Sequence, residues 1–149
     1  MILVERTDSC NKDFKILVKQ LDADLYNIMG GEQSQFDEYN DIESIRHAVV
    51  VYDDGFPVGC GAIREYSVSE MEIKRMFVLK EKRGQGVATV VLKELEKWSK
   101  ELGYEKCILE TGIKQHEATR LYEKNNYKVI PNYGHYVKLL TSVCFEKII

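Results

Sequence analysis

Only two prolines interrupt the 149 residues, and no internal repeat or low-complexity tract divides them. With 44% hydrophobic residues, the chain suits one compact domain, residues 1–149, that buries most of its apolar surface. Cysteine is equally sparse. Cys10, Cys60, Cys107 and Cys144 form no C-x-x-C pair and have no histidine cluster beside them, which speaks against a disulfide scaffold and against metal ligation. No metal is expected. Cys60, Cys107 and Cys144 fall in strand-like runs and read as small buried apolar residues.

Long hydrophobic runs are also missing. None approaches the roughly 20 residues that span a bilayer, and the first residues, MILVERTDSC, lack a basic n-region and an apolar h-region. A cytoplasmic protein is expected. There is no basic block, and the formal charge is −3, so neither nucleic acid nor an anionic membrane is expected as the main partner. Lys80, Lys82 and Arg83 make one local basic patch.

What is present is a run from Met71 to Gly103 that changes period once. Ile73, Phe77 and Leu79 alternate in phase as in a strand, and then Val87, Val91, Leu95, Trp98 and Leu102 recur at helical spacing. The change falls at Arg83-Gly84-Gln85-Gly86. A glycine-rich turn that opens a helix offers unpaired N–H groups and the positive end of the macrodipole, so an anionic ligand is expected there.

The other elements read as follows. Ile2, Val4 and Arg6 alternate in a first strand. Asp8 or Ser9 caps a helix with the stripe Phe14, Leu17, Val18, Leu21, Leu25 and Ile28, which ends at Gly30-Gly31. A polar loop and a short helix near Asp41 to Arg46 follow. His47–Tyr52 and Val58–Tyr66 form strands around the turn Asp53-Asp54-Gly55-Phe56-Pro57. Met71–Leu79 is the next strand, and the glycine-started helix runs to Leu102 with Gly103 as its cap. Lys106–Thr111 is a strand, Gln115–Lys124 a short helix, and Tyr127–Ile130 and Ser142–Lys147 are the last strands. Antiparallel strands followed by a strand–helix–strand crossover give an α+β mixed sheet with helices on both faces.

Residue spacing separates the phosphate-binding turns. A nucleotide P-loop needs G-x-x-x-x-G-K-[ST], which does not occur. A dinucleotide fingerprint needs a third glycine where Thr89 stands. Arg83-Gly84-Gln85-Gly86-Val87-Ala88 instead resembles the R/Q-x-x-G-x-G/A signature of the GNAT superfamily of acyl-CoA N-acetyltransferases. MEIKRMFV before it and ATRLYEKNNY after it match that superfamily in order and spacing, from about Met71 to Tyr127.

The resemblance implies a centrally splayed sheet of about seven strands flanked by about four helices, with acetyl-CoA as co-substrate. Backbone N–H groups of Arg83, Gly84, Gln85, Gly86, Val87 and Ala88 would hold the pyrophosphate, and the Arg83 side chain would add charge. The strand edge at Met76, Phe77 and Val78 would pair with the pantetheine arm. Gln115 stands where the family usually has an asparagine that contacts the cofactor. Tyr122, four residues after Ala118, matches the tyrosine that commonly protonates the departing thiolate, which has a pKa of about 8.5. Its other role is to pack beside Leu121.

The acceptor must attack as a neutral amine. An α-amine with a pKa of about 8 costs roughly 1.4 kcal/mol to deprotonate at pH 7, and a lysine near 10.4 costs about 4.6 kcal/mol. Glu72 matches the place where some family members carry a glutamate base; otherwise it is a strand glutamate paired with Lys74 on the same face. Tyr133, His135 and Tyr136 in the aromatic loop, with Tyr26 and Glu32, are the expected acceptor wall, and His135 is the alternative base. Lys74 offers a positive charge for an acceptor carboxylate.

These residues lead us to expect direct transfer of acetyl to a small primary amine, with a free amino acid or short peptide N-terminus preferred. The alternatives are a non-catalytic acyl-CoA-binding module on the same fold, a protein-lysine or N-terminal acetyltransferase, and a longer acyl group. The C-terminal strand and exposed sheet edges are compatible with a homodimer.

Overall fold

The computed structural model describes residues 1–28 and 44–149. Glu32 and the first half, residues 41–43, of the short helix expected near Asp41 to Arg46 lie outside the described residues. The strands are β1 (Ile2–Thr7), β2 (His47–Asp53), β3 (Phe56–Glu65), β4 (Glu70–Val78), β5 (Lys106–Gly112), β6 (Lys128–Ile130) and β7 (Ser142–Ile148). They form one sheet in the order β1-β2-β3-β4-β5-β7-β6. Among the described residues there are three α-helices, α1 (Lys12–Ile28), α2 (Val87–Glu101) and α3 (His116–Lys124), against about four expected.

The first helix begins differently from the sequence expectation. Asn11, not Asp8 or Ser9, caps α1, its Oδ1 accepting the Phe14 N–H at 2.9 Å. Asp8 instead accepts the Cys10 N–H at 2.9 Å and shapes the turn before the helix. Either side chain can satisfy a free donor, and the one nearest the helical backbone wins. The β2–β3 turn is tighter than expected, because only Asp54 and Gly55 lie outside the strands. Their φ values of 50° and 86° suit the tight two-residue hairpin whose twist matches its strands.

Two layers of side chains cover the sheet. Ala48, Val50, Cys60 and Ala62 pack with Phe14, Leu17, Val18 and Leu21 of α1. Val49, Val51, Met71 and Ile73 pack with Val87, Val91, Leu92 and Leu95 of α2. Strands covered on both faces lose the alternation of half-exposed strands, which is why β2 reads as the unbroken run Ala48-Val49-Val50-Val51. The α2 face approaches β3 through glycine. A Cβ on Gly61 would lie 2.7 Å from Met76 Sδ and 2.7 Å from Val91 Cγ1, so only glycine lets the helix sit this close.

β4 carries the feature that positions the site. Cys60 pairs with Phe77 but Ala62 pairs with Lys74, so β4 has one extra residue here, and Arg75 has a φ of 56°. This bulge reverses the phase of the strand. Ile73 therefore belongs to the α2 layer and Phe77 to the α1 layer, not to one face as their spacing suggested. Arg75 turns toward α1 and donates from Nη1 to Asp22 Oδ1 at 2.7 Å. Beyond the bulge, β4 has lost its other neighbour. It pairs with β5 only at Glu70–Lys106, Met71–Cys107 and Glu72–Ile108, although β4 runs on to Val78 and β5 to Gly112.

Candidate active site at the strand fork

Where β4 and β5 part, a cleft of about 940 Å³ opens. Its walls are residues 72–78 of β4, Glu110 and Thr111 of β5, the glycine turn with the start of α2, and α3 with the residues just before it. Unpaired strand backbone on one side and a helix start on the other suit a long, partly extended, anionic ligand.

At the outer end, Gly84 and Gly86 have φ values of 78° and 86°. Nothing lies within 4 Å of a Cβ built on either, so the glycines serve the left-handed backbone that sets up the turn. Gly86 is the N-cap of α2 and no side chain caps the helix, which leaves the first-turn N–H groups for a ligand. Arg83, Gly84, Gly86, Val87 and Ala88 line the cleft, and Gln85 does not. The Gln85 side chain instead donates to the Glu81 carbonyl at 3.4 Å. The Arg83 guanidinium donates to the Val78 carbonyl at 2.9 Å and to Asp24 of α1 at 3.1 Å. Asp24 therefore competes with any anion for that cation, although a half-exposed pair of this kind is weak.

Met76, Phe77 and Val78 line the inner wall, and Gln115 lines the wall opposite. Gln115 is the N-cap of α3 and packs on Gly112, where an added Cβ would sit 3.2 Å from its Nε2. Tyr122 also lines the cleft. It is buried, with its ring 5.7 Å from Tyr127 and 6.0 Å from Phe145, so it both packs in the core and reaches the cleft. Burial, and then the charge of Glu110, push its phenol above the ordinary value. It keeps its proton at neutral pH and can act only as a donor until a stronger base forms.

The inner end is charged. Glu72 is the last residue of β4 paired to β5. One carboxylate oxygen accepts the Tyr133 hydroxyl at 2.6 Å, and the other lies 3.8 Å from Lys74 Nζ. Burial lowers the affinity of Lys74 for its proton, and Glu72 partly restores it. Tyr136 is buried and lines the cleft. Tyr133 stands behind Glu72, with its ring 5.5 Å from that of Tyr136. His135 is exposed, rests on Tyr136 at 4.1 Å, and does not line the cleft. Tyr26 is 57% exposed on α1 and is likewise absent from the lining.

Glu110 was missed in the sequence. It lies on the β5 arm, two residues past the last pair with β4, and its Oε2 accepts the Ser142 hydroxyl at 2.6 Å. Burial pushes its carboxyl above the usual range. The available signal was a lone carboxylate inside the strand-like run Lys106–Thr111.

Known proteins share this fold. The profile of the Acetyltransferase (GNAT) family matches residues 17–127. Over 131 residues the chain is 28% identical to an uncharacterized N-acetyltransferase of Schizosaccharomyces pombe, a match that spans 83% of this chain and 79% of the relative. It superposes with a TM-score of 0.82 and 28% identity on a Klebsiella pneumoniae protein assigned as an acyl-CoA N-acyltransferase, over 99% of this chain and 97% of that one. The PaiA N-acetyltransferase of Thermoplasma acidophilum, solved in complex with coenzyme A, shares the fold with a TM-score of 0.76 at 17% identity, over 100% and 99% of the two chains. The chain belongs to the GNAT acetyltransferase family, and its activity is that of an acetyl-CoA-dependent N-acetyltransferase.

Proposed function

We propose that the protein transfers acetyl from acetyl-CoA to the primary amine of a small molecule by direct attack, without an acetyl-enzyme. The observation that carries this is the fork: a glycine turn at one end of the cleft and buried charged side chains at the other, with Tyr122 on the wall between them. The pyrophosphate is held by the N–H groups of Gly84, Gly86, Val87 and Ala88, since the Arg83 N–H already donates to the Lys80 carbonyl at 3.3 Å and Gln85 does not line the cleft. The pantetheine arm is held by the free edge at Met76, Phe77 and Val78. Gln115 contacts the same arm from the opposite wall. The thioester then lies near Glu72, where the acceptor nitrogen gives up a proton to a carboxylate; Glu72 is the candidate read from the sequence for that base. Tyr122 donates its O–H to the departing sulfur.

A free amino acid or a short peptide N-terminus is the preferred acceptor. The inner end is enclosed by Tyr136, with Tyr133 behind Glu72, and supplies one lysine that can face a carboxylate. An α-amine also needs only about 1.4 kcal/mol for deprotonation at pH 7, within reach of one buried carboxylate. The test is a panel of amines with acetyl-CoA, read by release of free thiol. Turnover of amino acids or short peptides is expected. Turnover confined to internal lysines of folded proteins would overturn the acceptor assignment, and tight acetyl-CoA binding with no turnover of any amine would overturn the activity.

A further inference from the structure

We propose that Glu110 is the group that takes the proton from the acceptor, while Glu72 holds the incoming ammonium. This rests on the acetyl-transfer reading and refines the part given there to Glu72. The two carboxylates stand on opposite arms of the fork, and both line the cleft. Their surroundings differ. Glu72 already accepts a hydroxyl on one oxygen at 2.6 Å and faces an ammonium with the other at 3.8 Å, so it is held in place from two sides, as suits an anchor. Glu110 has one hydrogen bond, from Ser142 at 2.6 Å. A base works best when its proton affinity is close to the operating pH, and burial moves Glu110 in that direction.

The groups facing Glu110 are Glu72 and Lys74 on β4, Ser142 and Cys144 on β7, Tyr122 on α3 and Tyr136 in the turn before β7. Among these, Glu72 raises its proton affinity, while Lys74 and Ser142 lower it. The step balances as follows. R–NH3⁺ gives one proton to the Glu110 carboxylate, and the freed electron pair forms the C–N bond to the thioester carbon. The C–S bond then breaks, the sulfur takes the Tyr122 proton, and the nitrogen's second proton restores Tyr122. Glu110 returns its proton to solvent.

The assignment gives three variants distinct signs. The measurement is the single-turnover rate at saturating amine and acetyl-CoA across pH, using an amine turned over by the wild-type chain. Glu110→Gln should lower the rate about a hundredfold and abolish the acidic limb of the profile. Ser142→Ala removes a donor to the carboxylate and should move that limb to higher pH. Glu72→Gln removes a neighbouring negative charge, so it should move the limb to lower pH while raising the KM for the amine. A Glu110→Gln profile with the wild-type limb, at any absolute rate, would overturn the proposal. So would a limb abolished by Glu72→Gln, or one that neither Ser142→Ala nor Glu72→Gln displaces; these last two comparisons stand even if Glu110→Gln fails to fold. Wild-type inactivity toward every amine would overturn the acetyl-transfer reading and this one together. Wild-type turnover with an unmoved limb would overturn this one alone.

Discussion

Tyr122 and Glu110 show how differently two residues of one site can present themselves. Tyr122 belongs to a helix, where A-x-x-x-Y sets it one turn after Ala118, and its part in the site was expected from the resemblance of that motif to the GNAT superfamily. Tyr122→Phe should lower kcat by about a hundredfold, the ordinary scale of a positioned proton donor, and leave acetyl-CoA affinity unchanged by calorimetry. Unchanged kcat in a chemistry-limited assay would remove it from the mechanism. Glu110 matters only because β5 carries it opposite Glu72 and Lys74, and no local pattern records that meeting. Its raised proton affinity also has a sign for stability. A carboxyl with a higher pKa in the fold than in the unfolded chain stabilises below its unfolded pKa, and that contribution is lost as pH rises through the folded value. Glu110→Gln should therefore melt higher than wild type at pH 7, with the difference shrinking toward pH 4 in a calorimetric scan. An equal or lower melting temperature at pH 7 would contradict this.

At the scale of elements, β4 and its turn into α2 decide the site. The glycine turn was visible in the sequence because few residues tolerate a φ of 86°, and glycine there is the chemical trace of the conformation. A Cβ at Gly86 meets no protein atom within 4 Å, so the first effects of a substitution come from backbone strain and from the space a ligand would use. Gly86→Glu should weaken acetyl-CoA binding at least about tenfold, since it sets a carboxylate against an anion at roughly 1.4 kcal/mol per decade; calorimetry showing wild-type affinity would refute it. The bulge at Arg75 left no such trace, because its left-handed residue is an arginine. It was hidden, and it put Phe77 on the opposite face from Ile73. Gly61 was also unread as a contact. Gly61→Ala should cost about 1–3 kcal/mol from overpacking against Met76, Val91 and Leu95, measurable by urea unfolding.

The whole molecule is a sheet with helices on both faces, and its thiols report that enclosure. Cys60, Cys107 and Cys144 are buried while Cys10 is exposed. Burial raises the Cys60 thiol to about 12 and the Cys107 and Cys144 thiols to about 11, which removes the reactive thiolate. A thiol reagent should modify Cys10 alone in the native protein and all four cysteines in denaturant. Rapid native labelling at any other position would show that the sheet opens. Among the described residues no helix is long and apolar enough to cross a membrane.

By itself the sequence determined the elements, the mixed sheet and the glycine turn that opens α2. Those depend on local chemistry: the period of apolar residues, the glycines that permit positive φ, and the one-turn spacing that sets Ala118 and Tyr122 on a helix. The tertiary structure alone decided which charged residues meet in the cleft. One extra residue in β4 shifts its phase, the pairing with β5 ends after three residue pairs, and Glu72, Lys74 and Glu110 come to share the opening. Such contacts between distant segments arise from register and packing, which a linear pattern of residue types does not encode.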